Sequence, residues 1–278
     1  MSARRIAIKT AHSAASWAVV AVIIFPLFWM ASTALKPHAE TFAVPPTFLP
    51  IAPTLAHFRQ LLTETNFLGY FLNSAIVATA TTMLVIVVAV LGAYSLVRFR
   101  FFGRRVMAQL VLFTYLLPAV VLLLPLYLLL TALGLANSLA GLVVTYTTFA
   151  LPFSLWLLRS FIAAIPIDLE EAAMVDGATR MQAFAFVVLP QALPGIISTA
   201  LFSFILAWNE YLYALVFISV DDRKTLLAGV LTMLYQNQNV EWALLMAASV
   251  LMSVPVLICF AFLQRHLTAG FGAGAVKG

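Results

Sequence analysis

Long apolar windows separated by short polar stretches set the pattern of this chain. Apolar runs of membrane length, each with at most one charged residue, fall at about 14–35, 71–97, 106–130, 140–162, 195–220 and 242–263. A hydrocarbon core about 30 Å thick needs about 20 apolar residues per helical crossing. The pattern therefore predicts an all-α polytopic fold of six transmembrane helices in one membrane domain, 1–278. No Asp, Glu, Lys or Arg lies between Arg105 and Arg159, so spans three and four are divided at Gly134-Leu135-Ala136-Asn137-Ser138, where turn chemistry is concentrated. The first window is longer than the roughly 7–15 apolar residues of a secretory signal and lacks a small-residue cleavage site before Lys36-Pro37-His38. It is expected to remain in the mature chain.

Composition strengthens this picture. Apolar residues make up 64% of the chain and charged residues 9%, with a mean hydropathy of +1.06, against about 45–50% and about 25% in soluble domains. Lys and Arg divide unevenly between the predicted loops. Eleven of the fifteen (Arg4, Arg5, Lys9, Arg98, Arg100, Arg104, Arg105, Arg159, Arg180, Arg265, Lys277) fall on one side and four (Lys36, Arg59, Arg223, Lys224) on the other. The positive-inside rule then puts both termini, the loop around Arg100 and the loop 163–194 in the cytoplasm. That asymmetry also explains the basic pI without nucleic acid. Cys259 stands alone mid-span, and His12, His38, His57 and His266 are scattered, so no disulfide, and no metal-ligand spacing among His and Cys, is expected.

The loops carry the remaining information. Residues 36–70 form a Pro-rich entry (Pro45, Pro46, Pro50, Pro53), then an amphipathic stretch from Leu55 to Leu62 with helical spacing. The second large outer loop, 219–241, holds Asp221-Asp222-Arg223-Lys224 and the amide run Gln236-Asn237-Gln238-Asn239. One cytoplasmic loop is large, 163–194. Pro166 and Asp168 read as a helix start, Glu171 completes a capping-box pattern with Asp168, and Gly177 is the expected left-handed stop. Thr179 is placed to cap a second helix through Val188, which Pro190 and Pro194 are expected to break or kink.

This loop contains Glu171-Ala172-Ala173, three residues, Gly177, nine residues, then Val187-Val188-Leu189-Pro190. The pattern resembles the signature loop of the inner-membrane permeases of ABC importers, with Val187 where that family usually has Ile. Tyr70-Phe71-Leu72-Asn73-Ser74, Ala207-Trp208-Asn209-Glu210-Tyr211 and the ending from Gln264 to Gly278 extend the likeness to the shorter, maltose-transporter-type permease of the carbohydrate uptake branch.

The resemblance implies a bacterial inner-membrane subunit that pairs with a second, non-identical permease. Two ATPase subunits would drive it and an extracytoplasmic binding protein would feed it a sugar or sugar derivative. It further implies an ATPase-coupling helix formed by Glu170, Glu171, Ala172, Ala173, Asp176 and Gly177, and an outer loop whose Gln236, Asn237, Gln238 and Asn239 face the binding protein. The Gly-rich tail (Gly270, Gly272, Gly274, Gly278) is expected to be a flexible thread reaching toward the ATPases. The chain has no Gly-x4-Gly-Lys-(Ser/Thr) loop, so it is expected not to be an enzyme, with ATP and Mg held in the partner subunits.

Within the spans one carboxylate stands out. Glu210, beside Trp208, Asn209 and Tyr211, is expected to face the bundle interior, a wet solute path or an ion site. Trp208 and Tyr211 could stack on sugar faces, or anchor the chain at the interface. A polyol or glycerol-phosphate solute is an alternative cargo. An ion-coupled secondary transporter fits less well, because there is one intramembrane carboxylate and no clear inverted repeat. No convergent polar set of a membrane enzyme is visible.

Overall fold

The computed structural model describes residues 3–236 and 241–272. Among these the chain forms helices and no strand. In order they are α1 Ala3–Ala34, α2 His38–Thr41, α3 Ala56–Thr63, α4 Phe67–Arg98, α5 Arg104–Tyr115, α6 Ala119–Ala132 and α7 Leu139–Ala164, then α8 Ile167–Val175, α9 Arg180–Ala183, α10 Leu189–Trp208, α11 Leu212–Phe217, α12 Leu226–Gln236 and α13 Trp242–Gly272. A π-helical segment, Phe184–Val188, joins α9 to α10. Five helices are long and apolar enough to cross a membrane, and the bent pair α5 and α6 supplies a sixth if the two halves make one span. The expected all-α polytopic fold is what the chain adopts.

The chain divides into two compact units, 1–68 with 230–255, and 69–229 with 256–278. In the first, the Pro-rich entry is ordered by a few hydrogen-bonded polar groups, of which Lys36 and His57 are buried. The Glu40 carboxylate accepts from the Thr47 hydroxyl (2.7 Å) and from the Ile51 amide (3.0 and 3.1 Å). Lys36, 2% exposed, donates to the Thr47 carbonyl with its ammonium 4.5 Å above the Trp29 ring. Its own carbonyl lies 3.0 Å from His57 Nε2 of α3, the amphipathic helix expected from the sequence. A carbonyl and an aromatic face thus make the direct contacts of this buried cation.

In the second unit, small and branched residues bring α4, α7 and α10 together. Ala89, Val90, Ala93 and Tyr94 of α4 pack with Leu158 and Ile162 of α7, and with Phe184, Val188 and Ala192. The turn before α7 forms as its residues require. Gly134 and Asn137 take positive φ, and Ser138 caps the helix by accepting from the Gly141 amide at 3.1 Å.

Several boundaries differ from expectation. The third span is not one rod, because α5 and α6 meet at 102° around Leu116-Leu117-Pro118. Pro118 has no N–H to continue α5 and biases Leu117 away from the helical region. The fifth span ends early, at Trp208, and resumes as the short α11 after a break at Asn209-Glu210-Tyr211. Of the expected break or kink at Pro190 and Pro194 there is no break: Pro190 stands in the first turn of α10 and Pro194 inside it, and the π segment just before it absorbs the misfit. In the loop 219–241, α12 occupies Leu226–Gln236. Gly270 and Gly272, expected in a flexible thread, close α13 instead. Asn237, Gln238, Asn239 and the tail 273–278 lie outside the described residues.

Candidate functional site

The loop between α7 and α10 is built from two well-terminated helical pieces. Pro166, rather than Asp168, stands at the N-cap of α8, so Asp168 and Glu170 lie within its first turn and no capping box forms there. Proline suits this place because its missing N–H is not needed at a helix start. At the other end Gly177 adopts φ +94°, with its amide on the Met174 carbonyl (3.1 Å) and the Ala178 amide on Ala173 (3.0 Å). This paired arrangement is a Schellman stop, which needs the left-handed residue that glycine supplies without strain. Thr179 then caps α9 through the expected pattern: its hydroxyl accepts from the Gln182 amide (3.3 Å), and the Gln182 side chain accepts from the Thr179 amide (2.8 Å).

The adjacent acids Glu170 and Glu171 point different ways, as successive residues on a helix must. Glu171, Ala172, Asp176 and Gly177 are exposed and Ala173 is half-buried. Around them Leu169, Ile167, Met181 and the 86% exposed Val175 present apolar side chains. Glu170 turns inward and is 4% exposed. Its carboxylate pairs with Arg98 at the end of α4 and accepts from the Tyr94 hydroxyl at 2.9 Å. Arg98 also donates to the Ile165 carbonyl at 2.9 Å. The buried pair is thus hydrogen-bonded at both ends, as buried charges require.

A second feature arises where two helix breaks face each other. The bend between α5 and α6 and the break between α10 and α11 border a half-open cavity of about 460 Å3, lined by Thr114, Tyr115, Thr148, Phe149, Glu210 and Tyr213 among others. The Tyr213 hydroxyl donates to the Ala119 carbonyl (2.6 Å), tying one break to the other. Glu210 accepts from the Tyr213 amide (2.9 Å) and the Ala214 amide (3.1 Å). It therefore satisfies the open amides of α11 while one side of the residue lines the cavity. Irregular backbone at membrane depth is tolerated where it borders such a space.

The neighbours of Glu210 do not join it there. Trp208 is 4% exposed, stacked on Phe204 (5.6 Å) and edge-on to Phe71 (5.4 Å). It is packed in the core, which leaves no ring face for a sugar. Asn209 is exposed, with its amide on the Ile205 carbonyl (3.0 Å), and Tyr211 is half-buried outside the cavity lining. Tyr94, Tyr213, Thr148 and Phe149 carry the two features without any sequence signal, and Arg98 was expected only as a loop charge. Arg98 and Glu170 are 72 residues apart, and no local pattern announces such a pair.

At the opposite end of α4, a strap crosses the helix. The Tyr70 hydroxyl donates to Asp221 Oδ2 (2.7 Å), Asn73 Nδ2 to the carbonyls of Asp222 (2.8 Å) and Lys224 (3.0 Å), and the Leu226 amide to the Ser74 hydroxyl (2.8 Å). Gly229 of α12 lies against the Tyr70 ring, where a Cβ would come within 2.3 Å of a ring carbon. Asn137 holds the strap from its other side, accepting from the amides of Ser219 (2.9 Å) and Val220 (3.2 Å).

Comparison with known proteins places the chain in a family. The profile of the family described as "Binding-protein-dependent transport system inner membrane component" matches residues 86–272, which include α8 and the cavity. The diacetylchitobiose uptake system permease protein DasC of Streptomyces coelicolor is 39% identical over 259 residues, 92% of each chain. The trehalose/maltose transport system permease protein MalG of Thermococcus litoralis is 33% identical over 264 residues, again 92% of each. In fold, the chain superposes on one from the crystal structure of a bacterial ABC transporter that imports the acidic polysaccharide alginate, with a TM-score of 0.81 at 22% identity over 95% of this chain and 98% of that one. The chain belongs to the binding-protein-dependent transport system inner membrane components, the permeases of ABC importers.

Proposed function

We propose that this chain is the membrane permease of an ATP-driven importer of a sugar or sugar derivative, and that the loop between α7 and α10 is where an ATPase subunit docks. The observation that carries the reading is the surface of α8. A short helix with fixed ends exposes Glu171, Ala172 and Val175 beside Met181, and it has no partner within the described residues that covers this face. Small side chains permit close approach, apolar ones bind, and Glu171 offers a charge to be met. Similarity to permeases of oligosaccharide uptake systems supports the sugar class. The cavity beside Glu210 agrees with it, because threonine hydroxyls, a carboxylate and aromatic walls suit a polyhydroxylated solute.

In this reading the solute arrives from an extracytoplasmic binding protein. It crosses between this permease and a second, non-identical one, driven by two ATPase subunits that bind ATP and Mg. Both termini lie in the cytoplasm, on the side of the arginine-rich loop after α4. This chain's own work is mechanical: α8 is displaced by the ATPase, and the spans attached to it reopen toward one side or the other.

Purification from the native host under mild detergent tests the assembly. A stoichiometric complex with an ATPase and a second permease is expected, and proteoliposomes holding it should take up an N-acetylated or glucose disaccharide only with the binding protein and internal ATP. Uptake by this chain alone, driven by a proton or sodium gradient, would overturn the proposal.

A further inference from the structure

Of the long helices among the described residues, α1, α7, α10 and α13 each carry an internal proline, and α4 carries none over its 32 residues. Proline is the usual cause of a helix kink, so α4 is the long helix least disposed to bend. It is also held by side chains at both ends. Tyr94 and Arg98 fasten one end to Glu170 of α8, and Tyr70, Asn73 and Ser74 fasten the other to the strap that leads into α12. The first clasp is a buried ion pair with side chains 7% and 5% exposed. The second holds three polar side chains of α4 by four hydrogen bonds to backbone and carboxylate, with Gly229 letting α12 close on Tyr70.

We propose that α4 is a rigid rod that joins the coupling helix to the outer strap, so that events at the binding-protein face and at the ATPase face are transmitted through this one helix. This rests on the reading of α8 as the ATPase docking site. It divides the two adjacent acids by role: Glu171 faces the ATPase, and Glu170 is a positioning residue that ties α8 to α4 through Arg98. A rod clasped at one end only would slide past its neighbours. Clasped at both ends, it moves the strap when α8 moves, and by reciprocity a partner that displaces the strap displaces α8.

The test exploits distance. Asn73 and Arg98 are about 38 Å apart along the helix at ~1.5 Å per residue, and changes so far apart are expected to act independently unless something couples them. ATP hydrolysis by the full transporter in proteoliposomes is measured with and without its purified binding protein, for Asn73→Ser and Tyr70→Phe at one end, and for Tyr94→Phe and Glu170→Gln at the other. Each single variant is expected to lower the stimulation ratio threefold to tenfold, with Asn73→Ser leaving hydrolysis without binding protein within twofold of wild type. The combination Asn73→Ser with Tyr94→Phe is expected to fall no further than the weaker single variant, since a linkage broken at one end cannot be broken again. Tyr94→Phe removes one hydrogen bond and Asn73→Ser the amide that makes two, and co-purification of the ATPase confirms assembly in each case. Multiplying effects in the combined variant, or unchanged stimulation in the Asn73 and Tyr70 variants, would overturn the rod. Failure of the docking reading has a different signature: normal stimulation in Ala173→Asp, which alters the exposed face of α8 and leaves both clasps in place.

Discussion

At the residue scale, the two acidic positions with most chemistry have their roles decided by what surrounds them. Glu210 fills the open amides of α11 and borders the cavity. Glu210→Gln keeps an oxygen for one of those amides, so uptake is expected to fall less than about threefold. Glu210→Leu leaves both without an acceptor at about 1–3 kcal/mol each, and uptake should fall at least about tenfold. Equal damage from the two would point instead to an ion-coupling carboxylate, which initial uptake rates in proteoliposomes will reveal. Glu40 is the other case. The Thr47 hydroxyl, followed by the backbone amides of Ile51 and Ala52 and the charge of Lys36, outweighs desolvation and holds its carboxyl below the ordinary range. A depressed carboxyl contributes order above its unfolded pKa and loses it as pH falls through the lower, folded value. Protection of the Ile51 amide from hydrogen exchange should therefore persist at neutral pH and vanish under acid conditions, and Glu40→Gln should weaken it at neutral pH.

At the scale of elements, terminations matter more than interiors. The stop at Gly177 sits at φ +94°, so Gly177→Ala is expected to loosen the end of α8 by about 1 kcal/mol, and Gly177→Pro to remove the amide that closes on Met174. Ala173→Asp puts an unpaired charge on the face proposed to meet the ATPase. Gly177→Pro and Ala173→Asp should each reduce uptake at least about tenfold while the permease still inserts, as membrane fractionation would show. Wild-type uptake in both would remove the docking role. The π segment has its own cause in Pro190. In an unbroken α-helix its ring would clash with the Phe186 carbonyl, whereas the observed bond from the Leu189 amide to the Phe184 carbonyl belongs to the wider coil. Pro190→Ala is thus expected to let Phe184–Val188 tighten into α-helix, turning Met181 and Phe186 relative to α10. Cysteines at those positions in a Cys259→Ser background would report the turn as changed labelling.

At the scale of the whole molecule, the proposed transport should be halted by vanadate and indifferent to a proton ionophore, because among the described residues one carboxylate lies at a break between spans, with no relay of ionisable groups. Uptake assays with each inhibitor separate the two energy sources. How much of this was open to reading from the sequence depends on the range of the interaction. Membrane residence, the positions of α1, α4, α7 and α13, the caps at Ser138 and Thr179 and the stop at Gly177 follow from runs and motifs within a few residues of each other. They are set by transfer free energy and local backbone hydrogen bonding, which the sequence states directly. The bend at Pro118 was also locally encoded, yet a purely apolar window concealed it, since hydropathy does not register a missing N–H. Which way Glu170 and Glu171 point, the burial of Trp208 between Phe71 and Phe204, and the clasps at Tyr70 and Arg98 were decided only by tertiary structure. Each needs a partner more than 70 residues away or a particular rotation of one helix against another, and such pairings arise from packing that no local pattern of residues can express.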